Sequence, residues 1–499
     1  MLTSHSCRCA LSPAIGRRIL MLMVLLAALV ARLFHLTTQS LWGDEGFTAY
    51  LVTLPLDQLL KGLAADRHPP LYFLLLQCWT MLVGHSEFAL RSFSVGVSVL
   101  TVAATYRLAR QLFDPVVGVA SAALLAISPI HIWYAQEARM YALLGFLTVL
   151  SIEFTRNLLQ RPARRVWVVH WLVATAMLYT IYIAVFILLF ESLVVLLAAA
   201  RCRRWRFLRR WVAVQGLVGL VFLPWAPVIA QQAGYRATWV KRPDLLSLGG
   251  TILRVLFGAR ESYLVPTYLG LVGICLMLFG VGGLFYLRRY RGQWTSVGFV
   301  ILWLMVPVSL IAGVSQVYPI YENKQFLMLL PAALILVALA LRGQGKRIRT
   351  LTLCLLVGLW SLPLEDQYFT PLKQDWRGVA SYIDAHATAG DVIYVNPSGG
   401  TLALHYYLRT PLPEDAYPSL FTAEKGGYVG EIATVTGVEV RLAPLARRHR
   451  RLWLLQVTPE FWDPHGYIVA WLNNRCTLEK MPTFYAVDVR LYNISSYGQ

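Results

Sequence analysis

The sequence predicts a polytopic α-helical membrane protein of about eleven transmembrane helices with a small α/β domain at its C-terminal end. Three observations predict it. The 499 residues are 57% hydrophobic and only 14% charged, where a soluble chain carries roughly a quarter charged residues. The apolar residues gather into runs of about twenty, near the length that crosses a bilayer. Past residue 365 these runs stop, and strand-like and helix-like stretches alternate.

The spans read as 18–36, 88–110, 115–131, 140–157, 166–181, 183–200, 211–229, 264–287, 297–316, 325–341 and 350–365. The apolar stretch 166–200 is too long for one crossing and is divided in the YTIY motif at Tyr179–Tyr182. The net charge is +19. If the N-terminus is cytoplasmic, alternate segments such as RCRRWRFLRR (201–210), RRYR (288–291) and RGQGKRIR (342–349) all fall inside. This is the positive-inside pattern, and it accounts for the basic balance without nucleic acid. The first apolar run follows Arg17-Arg18 and lacks a small-residue cleavage site, so it reads as a retained span. Seven cysteines, among them the Cys7/Cys9 pair, show no disulfide or zinc spacing.

The same count defines the domains. Residues 1–17 form a cytoplasmic tail, 18–365 the membrane domain and 366–499 an extracytoplasmic α/β domain. In the last, 375–386, 400–408 and 466–474 read as helices, and 390–397, 450–457 and 484–494 as strands. The outer loops of the membrane domain are 37–87, 132–139, 230–263 and 317–324. LYFLLLQCWTMLVG within the first, and the segment holding Lys241, Arg242, Asp244 and Arg260 in the third, read as interfacial.

Ionisable residues at a membrane boundary are functional candidates, and here they collect on the outer side. Asp44 and Glu45 lie in GDEG, Asp66, Arg67 and His68 precede Pro69-Pro70, and Glu137 and Arg139 lie in WYAQEAR. Tyr321, Glu322 and Lys324 precede the tenth span. Each also has a plain structural reading. Asp44 fits a helix N-cap, His68 an interfacial histidine, Glu137 and Arg139 a local ion pair, and Lys324 a snorkelling cation. Their gathering on one face from distant segments is the stronger signal. A carboxylate serves as general base toward a hydroxyl or amine, cations hold a phosphate leaving group, and apolar surface between spans accepts a lipid tail. Together these describe group transfer from a lipid-linked phosphate.

Four motifs in order carry a family resemblance: Asp-Glu after the first span, HPPLYFLLL (68–76), YAQEARMYAL (134–143) and PIYENKQFLMLLPAALIL (319–336). The chain resembles the GT-C superfamily of membrane glycosyltransferases, in the branch of the protein O-mannosyltransferases and the lipid A aminoarabinose transferase. The resemblance implies a sugar donor on polyprenyl phosphate, transfer with inversion, and Asp44 as catalytic base assisted by Glu45. It places Lys324, Arg139 and His68 at the donor phosphate and the second-loop acid on Glu137, a substrate-binding candidate; Arg67, Tyr321 and Glu322 join it as substrate-binding candidates by their place on the same side. Relatives often carry arginine where this chain has Lys324, which offers a point charge rather than a fork.

No cofactor is required by this chemistry, although Asp44 with Glu45 would suit a divalent cation. Glycolipid, polysaccharide and protein all stand as acceptors. The competing readings are a lipid flippase, for which internal repeats and mid-span polar residues are expected, and a non-catalytic scaffold.

Overall fold

The computed structural model describes residues 13–233, 240, 242–420 and 432–495. Cys7, Cys9, Lys241 and the first part of the tail therefore lie outside the described residues. The bundle begins with α1 (Pro13–Leu33), followed by three short helices, α2 (Gly43–Leu51), α3 (Leu56–Ala65) and α4 (Leu71–Val83). Next come α5 (Glu87–Leu112), α6 (Pro115–Ile127), α7 (Pro129–Ala135), α8 (Tyr141–Gln160), α9 (Arg164–Thr180), α10 (Val185–Cys202), α11 (Trp205–Phe222) and α12 (Ala226–Ala233). The last group is α13 (Leu245–Phe257), α14 (Pro266–Arg289), α15 (Trp294–Ser315), α16 (Leu330–Gly343) and α17 (Lys346–Phe369).

Among the described residues, eight helices are long and apolar enough to cross a membrane, or nine if the bent pair α6–α7 is one span. This is fewer than the eleven expected. The expected spans 18–36 and 166–181 are α1 and α9. The first carries Arg17, Arg18 and Arg32, and the second has 17 residues, about 26 Å at 1.5 Å per residue. The break in the YTIY motif is present, with α9 ending at Thr180 and a 3-10 turn starting at Tyr182.

The 61° bend between α6 and α7 shapes the site end of the bundle. Pro129 follows Ser128, which disfavours helical backbone there. The carbonyls freed at the end of α6 need donors. Buried Arg32 supplies them, donating to Leu125 O at 3.3 Å and Ala126 O at 2.9 Å. It also donates to Ala28 O at 2.8 Å and Ser98 Oγ at 2.7 Å and lies 2.6 Å from His131 Nδ1. The bend delivers the chain from α7 into the loop bearing Glu137 and Arg139.

Beyond α17 a three-layer α/β unit is built on a six-stranded sheet: β1 (Asp391–Asn396), β2 (Glu414–Ala416), β3 (Arg451–Gln456), β4 (Thr477–Lys480), β5 (Thr483–Phe484) and β6 (Val487–Asn493). The order is β2-β1-β3-β6-β4, with β5 on β6. The first three strands are parallel and β6 runs antiparallel to β3 and β4. β1 is buried throughout, as a parallel strand covered on both faces must be. Ile393, Val395, Trp453 and Leu455 pack on α18 (Trp376–His386) and α19 (Gly400–Tyr407). Val392, Tyr394, Leu452 and Leu454 face α20 (Val435–Arg448) and α22 (Tyr467–Arg475). The helices and strands read at 375–386, 390–397, 400–408, 450–457, 466–474 and 484–494 correspond to α18, β1, α19, β3, α22 and β5–β6. β2, β4 and α20 were not anticipated.

This unit is joined to the site end of the bundle. Arg377 pairs with Glu87 at 2.6 Å, and Tyr407 Oη donates to Glu87 at 2.6 Å while accepting from Leu41 N at 2.7 Å. Gln374 takes hydrogen bonds from Ser40 Oγ and Gly43 N. A Cβ on Gly46 would lie 2.5 Å from Ala403 Cα, so glycine is what lets α2 touch α19.

Candidate active site at the end of the helical bundle

A cavity of about 920 Å³ opens at this end. One wall is apolar, formed by Leu178, Ile181, Ile183, Phe186, Phe222 and Ile229. Asp44, Asp66, Arg67, His68, Arg139, Glu322 and Lys324 also line it. Apolar lining of this kind suits a long carbon chain, and the cationic groups among it suit an anion.

Asp44 sits in the first turn of α2, whose N-cap is Trp42. It is therefore not the cap residue, and its side chain, 25% exposed, stands on the cavity. Arg139 fixes this turn from behind. Its Nη1 donates to Asp44 O and Thr48 Oγ1, each at 3.3 Å, and Nη2 lies 3.7 Å from Asp44 Oδ2. Nη2 also lies 2.8 Å from His68 Nε2. A guanidinium only donates, so this His68 nitrogen accepts and the ring is uncharged. Burial, reinforced by Arg139, Lys324 and Arg67, holds the His68 pKa well below its ordinary value. A cationic His68 at the donor phosphate is thus corrected to a neutral ring that orients Arg139.

Lys324 Nζ lies 3.1 Å from Glu322 and over the Tyr141 ring at 5.7 Å, placing both charges on the cavity beside Tyr141. Tyr321, by contrast, does not line it. Its hydroxyl is 2.7 Å from Thr251 Oγ1, which bonds Asn323 at 2.8 Å, so Tyr321 ties α13 to the segment before α16.

Glu45 also turns away from the cavity and is fully buried. Arg91 binds it through two parallel bonds, Nε to Oε1 and Nη2 to Oε2, both 2.8 Å. Lys373 Nζ adds 2.9 Å and Ala138 N 3.0 Å. Arg91 further donates to Leu36 O, Gln39 O and Ser40 O. Burial pushes the Glu45 pKa up, but the Arg91 and Lys373 charges and these hydrogen bonds outweigh it and hold it at about 2. With its oxygens engaged, Glu45 is withdrawn both from direct catalysis and from sharing a divalent cation with Asp44.

Glu137 lies buried off the cavity wall, and among the described residues its Oε2 has no partner. Burial, with the Glu45 and Asp44 charges, raises its pKa to about 7 against the opposing pull of Lys373 and Lys324. Arg91 and Lys373 were missed in the sequence. Arg91 had a signal, since it is an ionisable residue inside an apolar span. Lys373 reaches Glu45 only through the fold.

Comparison with known proteins adds the following. Residues 67–229 match the family model described as dolichyl-phosphate-mannose-protein mannosyltransferase. No curated protein sequence matches. The fold is similar to ArnT from Cupriavidus metallidurans in the apo state (TM-score 0.61, 14% identity, 98% of this chain and 100% of that chain). It is likewise similar to the same protein bound to undecaprenyl phosphate (0.59, 13%, 97% and 100%). The archaeal oligosaccharyltransferase AglB from Archaeoglobus fulgidus, in complex with an inhibitory peptide and a dolichol-phosphate, aligns at 0.53 and 12% identity (98% of this chain, 75% of that chain). The matched residues 67–229 include two of the four motifs, HPPLYFLLL and YAQEARMYAL, and the chain is a multi-pass membrane protein with the GT-C glycosyltransferase fold.

Proposed function

We propose that this protein transfers a sugar from a polyprenyl-phosphate donor to a hydroxyl acceptor at the outer face of the cytoplasmic membrane, with inversion at the anomeric carbon. Residues 18–365 are the catalytic domain, the N-terminus is cytoplasmic, and the domain from 366 is extracytoplasmic. The observation that carries the reading is one cavity lined both by apolar side chains and by Asp44, Arg139 and Lys324. The family match over 67–229 and the relative bound to undecaprenyl phosphate are consistent with it.

Asp44 takes the proton of the acceptor hydroxyl. That oxygen bonds to the anomeric carbon as the bond from this carbon to the phosphate oxygen breaks. The leaving polyprenyl phosphate gains charge, which Lys324 and Arg67 neutralise at the cavity surface. Arg139 has donors committed to Asp44 O, Thr48 and His68, so it adds positive potential and fixes the base. Glu322 holds Lys324 in place, and Glu45 and Glu137 act from beneath.

The test is release of undecaprenyl phosphate by the full chain in nanodiscs, given a set of undecaprenyl-phosphate-linked sugars and a mixture of hydroxyl acceptors. Acceptor-dependent release is expected for at least one donor. Movement of labelled lipid between leaflets without any release would instead support a flippase.

A further inference from the structure

Among the residues lining the cavity, Trp462 comes from the α/β domain. It ends the one-turn helix α21 (Pro459–Trp462), which leaves the carboxyl end of β3. The turn begins at Thr458, a β-branched residue held at φ +44°. Side chains branched at Cβ are genuine outliers there, and such strain collects at ligand-handling sites. The placement is firm on both sides. Trp462 O accepts from Ala433 N at 2.8 Å, and the next residue, buried Asp463, accepts from the Tyr467 and Ile468 amides at 2.7 and 3.0 Å.

The strand order makes this place special. From β1 the chain passes through α19 to β2 on one side, and from β3 it passes through α21 and α22 toward β4 on the other. Neighbouring strands that send their chains in opposite directions leave a crevice at their carboxyl ends, where open α/β sheets bind ligands. Two residues paired across that crevice, Asn396 and Gln456, are buried. Both Asn396 amide atoms and Gln456 Oε1 lack partners among the described residues.

We propose that Trp462 is the platform for the acceptor, and that the acceptor is a carbohydrate. The inference rests on the glycosyltransferase reading above. An indole face receives the C–H face of a sugar ring, while the ring's hydroxyls project to the polar groups that share this cavity, among them Asp44, Asp66 and Gln325. The hydroxyl over Asp44 is the one that is glycosylated. The α/β domain thereby sets which glycan is accepted, and the membrane domain sets the donor.

Two measurements on the full chain in phosphatidylethanolamine–phosphatidylglycerol nanodiscs test this. One is calorimetric binding, without donor, of methyl glucoside, mannoside and galactoside and of their disaccharides. The other is acceleration of undecaprenyl phosphate release by these saccharides or by a Ser/Thr peptide. At least one saccharide should bind and accelerate release. Trp462→Ala should weaken that binding tenfold or more and raise the acceptor KM more than it lowers kcat. Trp462→Phe, which keeps an aromatic face, should recover most of the loss. Saccharide binding by Trp462→Ala within twofold of wild type, absence of saccharide binding, or acceleration by the peptide and by no saccharide would each overturn the proposal. Failure of every donor to be turned over would sink the glycosyltransferase reading instead, and the calorimetry would still decide whether Trp462 is a saccharide platform.

Discussion

Asp44 and Glu45 are adjacent in the chain and belong to two different regions of the molecule. The first stands on the wall of an open cavity, partly exposed, with Arg139 beside it and Lys324 among the groups lining the same cavity. The second lies in a closed layer underneath, where Arg91, Lys373 and Ala138 N use both its oxygens. Successive residues of a helix point about 100° apart, so one turn of α2 serves both layers. The difference teaches that a base has to remain available while the structure holding it must not. Glu45 is costly to bury and is kept ionised by its partners, and in return it ties α2 to α5, to the 136–138 loop and to the chain after α17. Asp44 has fewer ties because it has to meet a substrate.

Breaking the lower layer should give the largest change in folding. Glu45→Ala leaves Arg91 and Lys373 buried without their counter-charge, and removal of one partner of a buried pair costs about 3–5 kcal/mol. Thermal unfolding in detergent should show this as a marked fall in Tm. In the wild type the same group gives a pH signature. The Glu45 pKa is depressed from 4.5 to about 2 in the fold. Its contribution is therefore complete above about 4.5 and is lost as pH falls toward 2.

Arg139→Lys sharpens the boundary between the layers. The charge stays, but the fork that spans Asp44 O, Thr48 and His68 is lost. Turnover should fall about ten- to a hundredfold, the loss expected when positioning rather than charge is removed, with Tm less affected than in Glu45→Ala. Lys324→Met should raise the KM for the polyprenyl-phosphate donor by roughly tenfold, as expected for one charge-assisted contact to phosphate. The smallest effect belongs to Glu137→Gln. With its pKa raised to about 7, Glu137 gains charge as pH rises through neutrality and adds negative potential beneath the site. The wild-type rate should climb a few-fold across pH 7, and this inflection should vanish in the glutamine variant.

Much of this arrangement is legible in the residues, for definable reasons. Apolar runs marked most of the membrane helices because bilayer thickness dictates their length. The division at Thr180–Tyr182 followed because a largely apolar stretch of 35 residues, 166–200, exceeds one crossing. β1 and β3 were readable as short apolar strands, whereas β2, three residues long, and β4, exposed throughout, carry no pattern to read. At the site, the clustering of Asp44, Arg67, His68, Arg139, Glu322 and Lys324 followed from placing loops on one side of a membrane. The withdrawal of Glu45 and the neutrality of His68 did not, because both depend on the partner that each side chain meets. Lys373 lies 328 residues from Glu45, and only the packing of the α/β unit onto the bundle brings them together. Gly46 likewise shows its role only in the fold, as the seat of α19.

The most direct test of the two-layer account compares Asp44→Asn with Glu45→Gln in one preparation, measuring undecaprenyl phosphate release and Tm on each. The account predicts that Asp44→Asn keeps the wild-type Tm and loses about 10²–10⁴ in turnover, the range for a general base, while Glu45→Gln lowers Tm and keeps turnover in the molecules that remain folded. Near-normal turnover by well-folded Asp44→Asn would contradict it.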